Sequence, residues 1–323
     1  MTAAAVSARP ALADDFYRGK TVNLIVGFAP GGGVDTASRI IARHITRFIP
    51  GQPRIVVQNM EGAAGVVAAN YLYQRVVPDG LTVGVPGRSW FVEGAIKTPG
   101  ARFDPAKFAY IGSPGAVNSV MYVRASTGVK TLDDLRSLKR PLSFGALGNL
   151  STTAMVPFML AARGWPIKVV VGYVSSARII IALEQGEVDG YFTVEESFGL
   201  RQDLVEKKII LPILQNKPVH PGLPLLSDVL PKGDGALLTV VMGLETFGLP
   251  MVGPPGVPQE RLSLLRQVFL TMSSDKDYRA DASKADVPVG SPLSGAQLAR
   301  MTDELVAAAT PEIIARYKHL AGA

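Results

Sequence analysis

From Val22 onward the chain alternates short apolar runs with stretches whose apolar residues recur every three or four positions. Residues 22–28 are largely apolar; Val34, Ala37, Ile40, Ile41, Ile45 and Phe48 then fall on one helical stripe, with Arg39, Arg43 and Arg47 off it. This pattern predicts a strand, a loop and a helix. It continues as a strand over 54–58, a helix over 64–74 and, after the turn Pro78-Asp79-Gly80, a strand over 81–85. Repeated βαβ units imply right-handed crossovers and a mostly parallel sheet flanked by helices.

The alternation pauses between Pro86 and Pro114, where Gly, Pro and aromatic residues interrupt it, and then resumes. Strands are expected over 118–124, 142–145, 167–172, 188–193 and 209–214, and helices over 131–137, 152–163, 176–186 and 197–206. Thr131, with Asp133 and Asp134 behind it, opens the first of these helices. A Pro-rich surface segment, 215–234, leads to an apolar stretch over 236–247 and a helix-rich tail with Leu262, Leu265, Phe269 and Met272 on one face. A tail of that size needs a docking surface, and the first αβ unit is the expected one. The expected division is therefore 16–115 plus 240–323 for a discontinuous first lobe and 116–239 for the second, with two connecting strands.

Composition narrows the class. A chain of 323 residues, 47% of them apolar, is long enough for two cores, and no apolar run reaches the ~18 to 20 residues that span a bilayer. The formal charge of +6 favours anions, but Lys and Arg are spread out, with only short clusters such as Lys139-Arg140 and Lys207-Lys208. No nucleic-acid partner is expected, since no helix-turn-helix, finger or RNA-binding signature accompanies the charge. The absence of cysteine removes disulfides, thiolate metal sites and Cys nucleophiles. At the N-terminus, Ala11-Leu12-Ala13 before Asp14-Asp15 has the small-x-small form of a signal-peptidase site, so residues 1–15 are read as the stump of an export signal; an Ala-rich frayed terminus is the alternative.

Several chemistries are missing. His44, His220 and His319 lie far apart and outside any metal-ligand spacing, and His44 falls on the apolar side of its helix. No metal and no cofactor are expected. There is no GxSxG elbow, no GxGxxG, and no GxxxxGK[ST]; after Gly31-Gly32-Gly33 comes Val34-Asp35-Thr36, an acid where phosphates would sit.

What is present is a glycine turn feeding a helix start, where unpaired N–H groups and the positive end of the helix dipole suit an anion. Glycine lets a ligand approach without a Cβ in the way. Asp35 is expected to cap N–H groups or brace the loop, with direct ligand contact as the lesser role. A second strand–loop–helix, Phe144 to Leu160, offers Gly148, Asn149, Ser151 and Thr152, and a third offers Tyr173, Ser175, Ser176 and Ala177. Arg88, Ser89 and Trp90 follow the third strand, at the sheet end where α/β folds place ligands. Arg88 is either a second-carboxylate contact or a solvated surface residue, and Trp90 either a ligand platform or a core residue.

The runs LIVGFAPGGGVDTASRIIARHI, VVQNMEGAAGVVAANYL and PDGLTVGV resemble the TctC or Bug-type solute receptors of tripartite tricarboxylate transporters. The likeness continues through TLDDL, FGALGNLS, ALEQGEVDGYF and GPPGVPQERLSLLRQVF, over about residues 16–320. It implies an α/β, two-lobed periplasmic binding protein of type II, a Venus flytrap without catalysis that closes over a small carboxylate. The implied partners are that ligand and transmembrane permease subunits, with the receptor itself a monomer. Phe28, Ala29, Pro30, Gly31, Gly32, Gly33, Asp35 and Thr36 would form one pincer, Gly148 to Thr152 the facing one, and Tyr173 to Ala177, with Glu195, would complete the second lobe. Two departures leave the acid open: Leu150-Ser151-Thr152-Thr153-Ala154 stands where many members have Gly-Ser-x-x-His, and Tyr173-Val174-Ser175-Ser176-Ala177 where Tyr-x-Gly-x-x-Pro is usual. A dicarboxylate or an aromatic acid fits the remaining residues. The rivals are a receptor presenting its ligand to a sensor kinase, and an enzyme on the same scaffold using Glu195, Glu196 or Asp189.

Overall fold

The computed structural model describes residues 16–115, 117–285, 287 and 289–322, and the export-signal stump expected at 1–15 lies outside them. Strands follow in chain order as β1 (Thr21–Val26), β2 (Arg54–Asn59), β3 (Thr82–Val85), β4 (Ala109–Ser113), β5 (Ser119–Arg124), β6 (Leu142–Gly145), β7 (Ile167–Val170), β8 (Gly190–Val194), β9 (Ile210–Gln215), β10 (Met251–Gly253) and β11 (Leu293–Ser294). The helices are α1 (Gly33–Ile45), α2 (Val66–Gln74), α3 (Trp90–Ala95), α4 (Leu132–Arg136), α5 (Thr152–Ala161), α6 (Ser176–Gln185), α7 (Asp203–Glu206), α8 (Leu226–Val229), α9 (Gly235–Thr246), α10 (Gln259–Ser274), α11 (Lys276–Lys284), α12 (Gly295–Ala308) and α13 (Pro311–Leu320).

The chain divides into two compact units. Of the described residues, unit 1 holds those up to Trp90, Pro99–Pro114 and those within Leu249–Ala299; unit 2 holds Phe91–Thr98, those within Gly115–Gly248 and those from Arg300 on. The sheet of unit 1 has the order β11-β4-β10-β3-β1-β2. β1 pairs in parallel with β2 and β3, while β10 runs antiparallel to β3 and β4, and β11 antiparallel to β4. β1 to β4 therefore point the same way. The sheet of unit 2, β7-β6-β8-β5-β9, has β6 parallel to β7 and β8, and only β5 reversed. Both are mixed sheets with one dominant direction, flanked by helices, which is the α/β class the alternation predicts.

Helix α1 shows why the pattern was readable. Ala37, Ile40, Ile41 and Ile45 are buried against Val22, Leu24 and Val26 of β1, while Arg39, Arg43 and Arg47 are exposed. Burying each such Ile or Leu stabilises the unit by about 1.5–3 kcal/mol. The amphipathic face of α10 behaves likewise, with Leu262, Leu265, Phe269 and Met272 all in the unit 1 core.

Three local expectations change. The broken segment 86–114 contains helix α3 and strand β4, which lies between β11 and β10 and whose residues are buried throughout and so show no polar alternation. The helix expected over 197–206 is a 3-10 stretch, Glu195–Arg201, followed by the short α7. Gly199 lies inside it, and a mid-helix glycine costs about 1 kcal/mol relative to alanine. The first strand stops at Val26, because at Gly27 the backbone must run against β3: a Cβ there would lie 2.0 Å from the Pro86 carbonyl oxygen.

A second glycine approaches the same carbonyl. A Cβ on Gly65, whose φ is +95°, would also lie 2.0 Å from Pro86 O. Gly27, Gly65 and Pro86 thus bring the ends of β1, β2 and β3 to one edge of the sheet. Gly65→Ala meets both a clash and a left-handed backbone, and it is expected to destabilise unit 1 by roughly 2–4 kcal/mol. Urea unfolding followed by circular dichroism measures this, with Gly100→Ala, which has a similar φ of +95° and no neighbour within 4 Å, isolating the steric part.

Candidate ligand site

The loops that follow β1, β2 and β3 carry the unit 1 candidates. After Phe28 the chain turns at Gly31, φ +81°, with the Gly32 N–H donating to Ala29 O at 3.4 Å, and enters α1. Gly32 is the N-cap and brings no side-chain cap; the first helical bond at this end runs from Thr36 N–H to Gly32 O at 2.8 Å. The amides of Gly33, Val34 and Asp35 are the donors that the helix cannot itself satisfy. A Cβ on Gly33 would meet nothing within 4 Å, and Ala29 to Gly33 are exposed. Beside this turn, Ala63 and Ala64 hold positive φ of 46° and 53° and α2 likewise starts without a side-chain cap. Ser89 Oγ donates to Ala64 O at 3.0 Å, joining the third loop to the second. The Phe28 ring lies on Gly87, where a Cβ would come within 2.3 Å of Cε2, so Arg88 follows directly behind it and is half-buried.

Asp35 braces the turn. It is 2% exposed; its Oδ2 accepts from Gly31 N–H at 2.9 Å and from Arg39 Nε at 2.8 Å, and its Oδ1 accepts from Asn59 Nδ2 at 2.7 Å. Asn59 Nδ2 also donates to Phe28 O at 2.8 Å, and its Oδ1 accepts from Arg39 Nη2 at 3.0 Å. Burial on its own raises the Asp35 carboxyl, but the bonds from Arg39, Asn59 and Gly31 outweigh it and hold the pKa at about 2. Asp35 is therefore the brace expected of it. Asn59 and Arg39 complete the knot, and local pattern alone did not single them out; the signal was the Asn at the end of β2, aligned with Val26 at the end of β1.

A cavity of about 540 Å³ opens along the outer side of this turn, between α1 and the end of α11, lined by Pro30, Gly31, Thr36, Arg39, Arg43 and Lys284 among others.

In unit 2 the candidates line the edge formed by the C-terminal ends of β6, β7 and β8. The hydroxyls there are turned inward. Ser151 Oγ donates to Gly148 O at 2.6 Å and lies 2.7 Å from Thr153 Oγ1, which accepts from Leu147 N–H at 3.1 Å. Thr152 is buried, while Gly148, Asn149 and Leu150 are exposed. Ser175 Oγ caps α6 through Arg178 N–H, and Ser176 Oγ accepts from Tyr191 Oη at 3.0 Å. Tyr173 is half-buried over Gly145, its hydroxyl pKa raised by burial and by Glu187. Ala177 is exposed on the first turn of α6. The hydroxyls of Ser151, Thr153, Ser175 and Ser176 are thus all engaged within the edge.

Glu195 stands at the end of β8 with Oε1 2.5 Å from His220 Nε2 and Oε2 accepting from Asn118 Nδ2 at 2.5 Å. Neither Asn118 nor His220 carries a sequence signal for this. Asp189 lies at the opposite end of β8, where Oδ2 accepts from Ser143 N–H at 2.9 Å and Ser143 Oγ at 3.0 Å, a structural role. Trp90 is in the core, 0% exposed, with Phe103, Phe108 and Tyr110 around its ring. His44 is a boundary residue: Arg47 Nη2 donates to Nδ1 at 2.8 Å, so Nε2–H faces Asp281 at 2.9 Å.

No protein-family profile matches the chain. It is 25% identical over 214 residues to the UPF0065 protein of the tcbD–tcbE intergenic region of a Pseudomonas species, a match covering 65% of this chain and 62% of that one, so under two thirds of the relative's length. It is 41% identical over 69 residues to protein BugT of Bordetella pertussis, covering 21% and 20% of the two chains. Among solved structures, a TctC solute-binding protein from Polaromonas, without ligand, superposes with a TM-score of 0.73 at 15% identity over 94% of this chain and 98% of that one. A Rhodopseudomonas palustris protein with adipate gives 0.59 at 22% identity, over 94% and 98%. MatC from the same organism, with bound malate, gives 0.56 at 19% identity, over 94% and 99%. The chain has the fold of the TctC/Bug-type periplasmic solute-binding proteins, and its sequence resembles theirs.

Proposed function

We propose that the chain is an exported receptor that binds a small carboxylate without transforming it and delivers it to a tripartite tricarboxylate-type permease. The observation that carries this reading is the uncapped start of α1 behind an exposed glycine turn, with the acid of its first turn, Asp35, withdrawn into a knot. A free carboxylate at Asp35 would repel an anionic ligand. With its oxygens taken by Gly31, Arg39 and Asn59, it instead orients the turn, and its charge is offset by the Arg39 guanidinium.

Each amide contact of this kind contributes about 0.3–1 kcal/mol, whereas micromolar affinity corresponds to about 8 kcal/mol. The reading therefore needs further contacts from the exposed edge of unit 2, around Gly148 and Asn149 and the start of α6. A dicarboxylate is the better-supported ligand class. Trp90, which would have stacked on an aromatic acid, is occupied by Phe103, Phe108 and Tyr110, and the resembling structures that hold acids hold malate and adipate. No helix among the described residues is long and apolar enough to cross a membrane.

Calorimetry with malate, adipate and related acids is expected to give micromolar binding and, at saturation, a smaller radius of gyration in solution scattering; no heat from any acid of the panel would overturn the reading. Gly33→Asp places a carboxylate at the helix start without a steric conflict, so the melting temperature should hold or rise slightly while acid affinity falls by more than about tenfold. Unchanged affinity in that variant would mean that the ligand sits elsewhere. Asp35 supplies a pH-dependent test of the knot. Its folded pKa of about 2 lies below the ordinary value of ~3.9, so its contribution of roughly 2–3 kcal/mol is present above pH ~4 and fades as pH falls toward 2. Asp35→Asn should lose about that much at pH 7, and its urea midpoint should approach that of the unsubstituted protein near pH 2.

A further inference from the structure

Unit 2 contains a second polar device, built from residues far apart in sequence. Gln215, the last residue of β9 and 1% exposed, uses its whole amide on the loop that follows. Nε2 donates to the carbonyls of His220 and Leu223 at 2.8 and 2.9 Å, and Oε1 accepts from the N–H groups of Val219 and His220 at 3.0 and 2.8 Å. The Pro-rich loop is thereby folded back on its own strand, and the His220 ring is set against the end of β8. There Glu195 receives it, held in turn by Asn118, which is 8% exposed and whose backbone carbonyl accepts from Glu195 N–H at 3.0 Å.

An ionised carboxylate only accepts, so His220 Nε2 carries a proton toward Glu195. The other ring nitrogen, Nδ1, has no hydrogen-bond partner among the described residues, and the side chain is 38% exposed. We propose that His220 Nδ1 is a contact for a ligand carboxylate, that Glu195 is its positioning residue, and that binding draws a proton onto the ring. The proposal rests on the carboxylate-receptor reading above. A ring with an anion at each nitrogen needs two N–H groups, and only the imidazolium has two. The added proton also balances Glu195, which would otherwise repel the incoming acid. The other charged side chains described on these elements are Arg201, at the far end of the 3-10 stretch that begins at Glu195 and paired with Glu184 and Asp203, and Lys217, whose Nζ donates to Val117 O at 2.9 Å.

Because the complex holds the imidazolium, affinity is higher at acid pH and weakens as pH rises, over a range where the ligand's own carboxylates stay ionised. Calorimetry of the full chain with malate and with adipate at pH 6 and pH 8, in two buffers of different ionisation enthalpy, is expected to show proton uptake and about tenfold weaker binding at the higher pH. His220→Gln should bind roughly tenfold or more weakly at pH 6 and take up no proton, and Glu195→Gln should take up less. A readout that needs no variant is the ring carbon–proton spectrum of the unsubstituted protein. The acid should move the His220 signal toward the imidazolium position and leave His44 and His319 in place. If the unsubstituted protein binds an acid with no proton uptake and no His220 shift, or if His220→Gln keeps its affinity and pH profile, this proposal falls and the receptor reading stands. If no acid binds, both fall.

Discussion

A carboxylate removed from water has to be matched by donors, and at Asp35 that requirement organises the unit 1 edge. The matching groups come from three places in the chain: the Gly31 amide from the turn before α1, the Arg39 guanidinium from the next turn of α1, and the Asn59 amide from the end of β2. Satisfying one buried charge therefore fixes the turn relative to both the helix and the neighbouring strand. Losing one donor would leave the carboxylate under-satisfied, which is why such knots resist piecemeal change. The contacts between Pro86 and the two glycines hold the same strand ends together by exclusion, since neither position has space for a Cβ.

This construction separates the groups that build the edge from those that face outward. Side-chain donors and acceptors are turned inward: Asn59 and Asp35 in unit 1, Ser151, Thr153, Ser175 and Ser176 in unit 2. At the start of α1, where no side chain caps the helix, the first amides are left for a ligand. Amides cannot change protonation and lose little freedom on binding, so they suit the recognition of a carboxylate as a class. Discrimination between acids would then fall to side chains, and Glu195 with His220 is the pair we propose for it.

Residues 22–45 were legible because their burial is one-sided. A helix that packs on a sheet shows a stripe, and Ile40, Ile41 and Ile45 against Arg39, Arg43 and Arg47 display it directly. β4 was not legible for the converse reason: a strand buried throughout has no polar alternation, and Gly112 in its middle reads as a loop residue. The stretch 195–206 misled because its apolar spacing suits a helix, while Gly199 weakens the α-helical alternative and the chain tightens into 3-10 turns. Among the candidate residues, Asp35 was assigned its bracing role from its position one turn into a helix behind glycines. Trp90 stood open between ligand platform and core until Phe103, Phe108 and Tyr110 were seen around it.

The linear chain by itself determined the α/β class, the main strand–helix alternation and the turns where α1, α5 and α6 begin, because periodicity, glycines and capping residues act within a few residues of one another. Only the tertiary structure decided which groups remain available at those places. Whether the Ser151 hydroxyl turns inward, whether Asp35 finds Asn59 24 positions away, and whether His220 reaches Glu195 25 positions back are matters of long-range hydrogen bonding and burial, which no local pattern encodes.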